Sequence, residues 1–336
     1  MPGELSGGLP QLSTEGNRVF RTDTGEPVIL RGVNRSGLEY TEPTSGGFLP
    51  AADFTEDEAA EIVRNWRCNV VRIPFNQDWV LRGRRGYTGE QYVASLDQVI
   101  SWFAELGAYT ILDLQWLDAD TVYGHIRDDR GTEYDNHVAP TPNADTIPLW
   151  RKLAARYRDE PAVLFDLFSE PHDRLSDDYH PIHVIGPDGA VLESDSSTVG
   201  PEVWTGWANR LITEVREVRP TGLILVSGDS WAFELHRVWL DATNIIYSTH
   251  IYHDREPYTW WKALGRAAEV PVFVGEWGGT DAHLDFGRRL ARVLWNLGLG
   301  WTAWSWVDYP QLIQPPRAPI FHPTAFGELV RGELSR

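Results

Sequence analysis

An eight-stranded α/β barrel is the fold class the sequence predicts, and three observations carry the prediction. Short β-branched or apolar runs recur eight times along the chain, and amphipathic segments of helical period separate them. Strands that alternate with helices pair in parallel, and runs that are apolar almost throughout are buried on both faces. At 336 residues the chain suits a closed (β/α)8 barrel read as one unit, since such barrels run past about 250 residues.

Ahead of the first barrel strand, NRVFRTDTGEPVIL sets two short strand-like runs on either side of Thr24-Gly25. That is a hairpin pattern, expected to cap the barrel floor. The eight runs are VILRGVN from Val28, NVVRIPF from Asn69, YTILDLQ from Tyr109, AVLFDLFS from Ala162, LILVS from Leu223, IIYSTHIY from Ile245, VFVGE from Val272 and WTAWSW from Trp301. Between the first two lies TEDEAAEIVRNW, where Thr55 and Glu58 have capping-box spacing. EQYVASLDQVISWFAELGA, before the third run, carries the apolar period of a helix. PEVWTGWANRLITEVREV, before the fifth, opens with Pro201 at a first helical position, where the missing N–H costs nothing. The longest irregular stretch, residues 171–200, follows the fourth run and is rich in Asp, Gly, Pro and Ser. A loop of that length in a compact domain is expected to be functional. No internal repeat, low-complexity tract or linker interrupts the chain, so residues 1–336 are read as a single (β/α)8 domain.

Charge and composition exclude several functions. A net charge of −18 and a pI near 4.9 disfavour nucleic acid, polyanionic substrates and anionic membranes, all held by clustered Lys and Arg. Aromatics make up 12% of the chain, with 16 Trp. Tryptophan is costly to bury whole, so some of these rings are expected to line a cleft. Cys68 is the single cysteine, which leaves no intrachain disulfide and no cysteine-built metal site. No HExxH motif, dinucleotide-binding glycine motif or Walker loop is present, so neither a metal nor another cofactor is expected. Asp118 and Asp120 read as a solvated acidic loop. No apolar run has the length of a membrane span. The start MPGELSGGLP lacks the basic and apolar regions of a signal peptide. The chain is therefore cytoplasmic if Met1 is its native start and secreted if a leader has been removed.

Active sites of such barrels lie at the carboxyl ends of the strands. The runs deliver there, in order, Asn34 and Arg35; Arg72; Asp113 and Gln115; Ser169 and Glu170; Ser227 and Asp229; His250 and Tyr252; Glu276; and Trp304 and Trp306. His250 and Tyr252 are two apart and share a face, as Trp304 and Trp306 are expected to. A glutamate just past a strand is most often a solvated loop residue. Two of them, Glu170 and Glu276, closing the fourth and seventh strands across one mouth, are what glycosidic hydrolysis requires: one carboxyl as acid and base, the other as nucleophile.

Taken in order, RGVN, NVVRIPF, LFSEP, HIY, GEW and WTAWSW resemble glycoside hydrolase family 5, the cellulase family, within a clan of (β/α)8 retaining glycosidases. The resemblance runs over residues 16–308. It implies Glu170 as acid/base and Glu276 as nucleophile, with Arg72 and Tyr252 bonding the nucleophile and holding it ionised. It further implies His250 as the histidine near the acid/base and Trp304 as the platform under the sugar being cleaved. Trp116 and Trp231 are further candidate sugar contacts. An oligo- or polysaccharide substrate and a monomeric enzyme are expected.

Two positions depart from the family pattern. The residue before the acid/base is usually Asn, whose amide binds the sugar 2-hydroxyl, and here it is Ser169. The third strand commonly ends on His, and here it carries Gln115. Serine is shorter by an amide group and does not span the same distance unaided. Three expectations follow: a cellulase or β-glucanase working by double displacement, a β-mannan- or other hexose-directed glycosidase with altered 2-position recognition, or a catalytically weak carbohydrate-binding barrel.

Overall fold

The computed structural model describes residues 8–127, 131–172, 184–185, 187, 191–192, 201–317 and 319–336. Eight parallel strands close in chain order: Arg31–Asn34, Val70–Asn76, Tyr109–Trp116, Val163–Asp166, Ile224–Ser227, Ile245–Ile251, Val272–Trp277 and Gly300–Ala303. Each expected run supplies one strand, and Trp301 opposite Arg31 closes the ring. Outward-pointing Val71, Ile73, Leu112, Leu114 and Val226 pack in one core with helix residues such as Leu96, Ile100 and Leu211.

The inward faces form layers, because side chains two residues apart on a strand point the same way. The lowest layer is apolar: Val70, Ile111, Leu164, Leu225, Ile246 and Phe273 cluster with Leu12 and Leu30. Two residues further along, the layer turns polar, with Asn34, Arg72, Asp113, Asp166, Ser227, Ser248 and Thr302 all wholly buried. Gly275 completes that ring, since a Cβ there would fall 2.6 Å from Ser248 Oγ. The apolar floor thus supports a buried polar layer, and the strand ends above it carry the candidate site residues.

The expected hairpin pairs Arg18–Arg21 with Pro27–Val28, but Leu12–Glu15 adds a third antiparallel strand. That strand is short and half polar, so its pattern does not stand out. Leu12 belongs to the floor cluster, Val19 and Val28 pack against it, and the Tyr109 hydroxyl donates to Pro10 O at 2.8 Å. The sheet therefore caps the barrel floor. A second hairpin, Gly124–Arg127 with Glu133–Asn136, follows the third barrel strand. Within 171–200, Val184–Ile185 pairs with Val191–Leu192; the rest of that stretch beyond His172, apart from residue 187, lies outside the described residues.

Pro201 opens the helix Pro201–Val218 as expected. Thr55 caps Glu56–Ala60 by accepting from the Glu58 N–H, yet Glu58 does not return the bond. Its buried carboxylate pairs instead with Arg35, just past the first barrel strand, at 2.8 Å. The complete capping box belongs to Thr88 and Gln91, at the head of Gly89–Glu105. Removing one partner of a buried pair strands the other charge at a cost of about 3–5 kcal/mol. Glu58→Ala is therefore expected to lower the unfolding free energy in urea by that order, and Glu58→Gln by less. An alanine variant as stable as the parent would contradict the pairing.

Candidate active site

Arg72 stands in the polar layer with four hydrogen bonds and a further ion pair around its guanidinium. Nε donates to Asp166 Oδ2 at 3.0 Å, Nη1 to Asn34 Oδ1 at 3.0 Å and to Glu276 Oε1 at 2.8 Å, and Nη2 to Ser169 Oγ at 3.0 Å. Nη2 also lies 2.8 Å from Asp113 Oδ1. That last contact is an ion pair by distance without hydrogen-bond alignment, and both Asp113 oxygens stay without a hydrogen-bond donor. Three buried carboxyls around one cation leave acid in excess. Burial raises the Asp166 carboxyl and lifts Asp113 well above the usual carboxylate range, against the pull of Arg72. Burial alone would lower the guanidinium, but the Asp113, Asp166 and Glu276 charges outweigh it and raise Arg72.

The strand ends converge one layer higher. Glu276, in the seventh strand, rests Oε1 on Arg72 and accepts the Tyr252 hydroxyl on Oε2 at 2.7 Å. The fourth strand formally stops at Asp166, but the Leu167 N–H still bonds Leu225 O and the Ser169 N–H bonds Leu114 O. Barrel pairing thus continues to the residue before Glu170. His250 Nδ1 sits between the two acids, 2.8 Å from Glu170 Oε1 and 3.5 Å from Glu276 Oε2. One carboxylate oxygen of each glutamate and a His250 ring nitrogen all lie within 4.8 Å of one another.

The two glutamates are chemically alike and differently housed. Burial raises the Glu170 carboxyl to about 7; Arg72 and Arg255 oppose the rise and Asp254 adds to it. Its side chain keeps 15% of its surface open, so surrounding protein rather than complete closure drives the shift. Glu276 instead touches a guanidinium and a phenol. His250 is pushed down to about 4 by burial, which outweighs the upward pull of Glu276 and Asp166, so near neutral pH it is an uncharged imidazole. Burial, reinforced by Glu276 and Glu170, holds the Tyr252 phenol well above its ordinary range, and it remains a donor.

The remaining predicted residues surround this pair. The Ser169 hydroxyl donates to Gln115 Oε1 at 2.9 Å. Trp304 is half-buried and donates Nε1 to Tyr309 O at 3.1 Å. Trp116 stacks on His137 at 4.6 Å and approaches Tyr40 at 5.7 Å. Trp231 stacks almost parallel on His172 at 3.8 Å, and its N–H bonds Pro171 O, next to Glu170. Ser230, Trp231 and Ala232 all have positive φ, at 54°, 60° and 59°, a costly backbone for three successive non-glycine residues. Trp306 does not share the face of Trp304. The strand ends at Ala303, so the two-residue alternation stops there, and Trp306 is buried edge-on against Trp66 at 4.7 Å.

Asp120 is engaged by Arg84 at 2.7 and 2.8 Å, and Asp118 accepts from the Asp120 N–H and the Thr121 hydroxyl, as a solvated acidic loop would. Sequence reasoning overlooked Asp166 as a partner of Arg72, although an acid inside the apolar run VLFD was a visible signal. It also overlooked Tyr40 beside Trp116, and the buried Glu39, which desolvation raises to about 8. A cavity of about 320 Å³, lined by Val19, Val28, Ile246 and Phe273 among others, opens beside the floor sheet; none of the site residues lines it.

Two glutamates from the fourth and seventh strands of a closed (β/α)8 barrel thus meet at one mouth, joined by His250 above a buried arginine. The family model Cellulase (glycosyl hydrolase family 5) matches residues 22–310, and the chain belongs to that family. An endoglucanase of Paenibacillus polymyxa is 23% identical, across 87% of this chain and 78% of its own length. Endoglucanase Z of Dickeya dadantii is 21% identical over 81% of this chain, which spans 52% of that protein. Among solved structures, the β-glucanase SdGluc5_26A of Saccharophagus degradans superposes with a TM-score of 0.73 at 21% identity, covering 98% of this chain and 94% of that one.

The environment of Glu170 can be read directly. Carboxyl-carbon NMR is expected to show a glutamate titrating near 7 that disappears in Glu170→Gln. Arg255→Gln, by removing a charge that favours the carboxylate, should move that midpoint upward. A parent midpoint in the ordinary carboxylate range, or a downward move in the variant, would contradict the assignment.

Proposed function

We propose that the protein is a retaining β-glycoside hydrolase that cleaves a neutral β-linked glucan by double displacement, with one catalytic domain over residues 1–336. The observation that carries this reading is the approach of the two carboxylates, whose near oxygens lie within 4.8 Å. Retaining enzymes hold their carboxyl groups about 5–5.5 Å apart, whereas inverting ones leave about 6.5–9.5 Å for a water. The glucan assignment draws on the endoglucanase relatives and on the Saccharophagus β-glucanase, whose structure with cellotetraose superposes at a TM-score of 0.72.

In the first step a Glu276 oxygen attacks the anomeric carbon from the face opposite the leaving group, while Glu170 gives its proton to the glycosidic oxygen. The C–O bond breaks and a glycosyl ester on Glu276 forms. In the second step the Glu170 carboxylate takes a proton from a water whose oxygen attacks the same carbon. The ester opens, and both glutamates return to their starting states. Arg72 and the Tyr252 hydroxyl each donate to one oxygen of the nucleophile and hold it in place, and the raised Glu170 carboxyl keeps a transferable proton near neutral pH. His250, uncharged, orients the acid without competing for its proton. Trp304, Trp116 and Trp231 offer the flat faces on which sugar rings stack. One chain suffices as the working unit, because a single barrel supplies both acids and their partners.

Removing the nucleophile's side chain separates this mechanism from its rivals. Glu276→Gly with azide is expected to form an α-glycosyl azide, whereas Glu276→Gln, whose amide fills the same space, is not rescued. Activity at the parent level in either variant would contradict the role of Glu276. Glu170→Ala should slow substrates with poor leaving groups far more than dinitrophenyl glycosides. It should also lose the basic limb of kcat/KM, because the parent loses activity as pH rises through the Glu170 value of about 7. Equal losses on both kinds of leaving group would count against an acid/base there.

A further inference from the structure

We propose that the side-chain amide of Gln115 grips the 2-hydroxyl of the sugar being cleaved and that Ser169 sets its orientation; the assignment rests on the glycosidase reading above. A guanidinium only donates, so the contact of Arg72 Nη2 with Ser169 Oγ at 3.0 Å makes the serine oxygen an acceptor. The serine proton is then free for another partner, and Gln115 Oε1 lies 2.9 Å away. That bond turns the amide oxygen toward Ser169 and the NH2 group away from it. Which end of the amide faces the serine is thus decided by Arg72, through donor and acceptor logic, and not by the shape of the side chain.

The NH2 group finds no acceptor among the described residues, and Gln115 keeps 7% of its surface exposed. Gln115 lies two residues beyond Asp113 on the inward face of the third strand, which places it directly above the Arg72 layer. The sugar O2 is carried by the carbon next to the anomeric one, so whatever binds it must border the carboxylate pair. Ser169 precedes Glu170 but is wholly buried, and its hydroxyl is spent on Arg72 and Gln115. The next donor along that line is Gln115 Nε2. Bonds to the 2-hydroxyl tighten as charge develops at the anomeric carbon, so this amide would act mainly in the transition state. Gln115 is then a specificity-determining contact, and Ser169 a positioning residue that acts through it.

The test compares kcat/KM on an aryl β-cellobioside with kcat/KM on its congener lacking the 2-hydroxyl on the ring next to the aglycone. Gln115→Met, similar in volume and without N–H donors, should lose roughly 10- to 100-fold on the hydroxylated substrate and far less on the deoxy one. Gln115→Glu keeps an oxygen for Ser169 but removes the donors, and should lose the same selectivity even if the methionine variant folds poorly. Ser169→Ala should lower kcat more than KM on the hydroxylated substrate, and Ser169→Thr, which restores a hydroxyl, should recover the selectivity. Equal losses on both substrates in an otherwise active enzyme, or no loss, would overturn the assignment alone. A parent inert on both would overturn the glycosidase reading and this assignment with it.

Discussion

One guanidinium fixes the geometry of this site. Arg72 is wholly buried and reaches five partners on four other strands or their extensions, four by hydrogen bonds and Asp113 as an ion pair. A lysine could not replace it, since an ammonium has three donors on a flexible stem and readily gives up its proton when buried. The planar fork is what spaces Asn34, Asp113, Asp166, Ser169 and Glu276 around a common centre. Because those residues come from the first, third, fourth and seventh strands, the barrel's closure and the placement of Glu276 are one constraint.

That constraint also explains why the two glutamates differ. The acid excess around Arg72 is relieved inside the layer by raising Asp113 and Asp166, so the cation remains available to Glu276 above them. Glu170 lies outside direct contact with the guanidinium and answers mainly to burial. A single barrel rim can therefore hold one carboxyl bonded to a guanidinium and a phenol and another that keeps its proton near neutrality. Neutral His250 spans the two without adding charge. The layers below serve the same end, because an apolar floor beneath a buried polar ring lowers the local dielectric around the charges.

Much of this was legible in the sequence, for a physical reason. Parallel strands buried on both faces leave near-continuous apolar runs, so all eight were visible, and a glutamate closing such a run is conspicuous at Glu170 and Glu276. The spacing of His250 and Tyr252 suggested a shared face, and both reach Glu276, Tyr252 from just past the end of the sixth strand. What stayed hidden depended on contacts distant in sequence. Asp166 looked like an intrusion in VLFD until Arg72, 94 residues earlier, was seen to bond it. Glu58 read as a helix cap because its pairing with Arg35 leaves no local mark. Ser169 read as a shortened contact to sugar, whereas its hydroxyl links Arg72 to Gln115, 54 residues away. Trp306 was misplaced because strand alternation was carried past the end of the strand.

The proposed double displacement requires retention of configuration at the anomeric carbon. Proton NMR of the anomeric region in the first minutes of hydrolysis of a soluble cello-oligosaccharide reports the configuration of the newly released reducing end before mutarotation blurs it. Two carboxylates this close, with Glu276 as nucleophile, predict that the β-anomer appears first and the α-anomer grows in later. Initial release of the α-anomer would mean inversion at the anomeric carbon by a directly attacking water, and would contradict the double displacement built on Glu170 and Glu276.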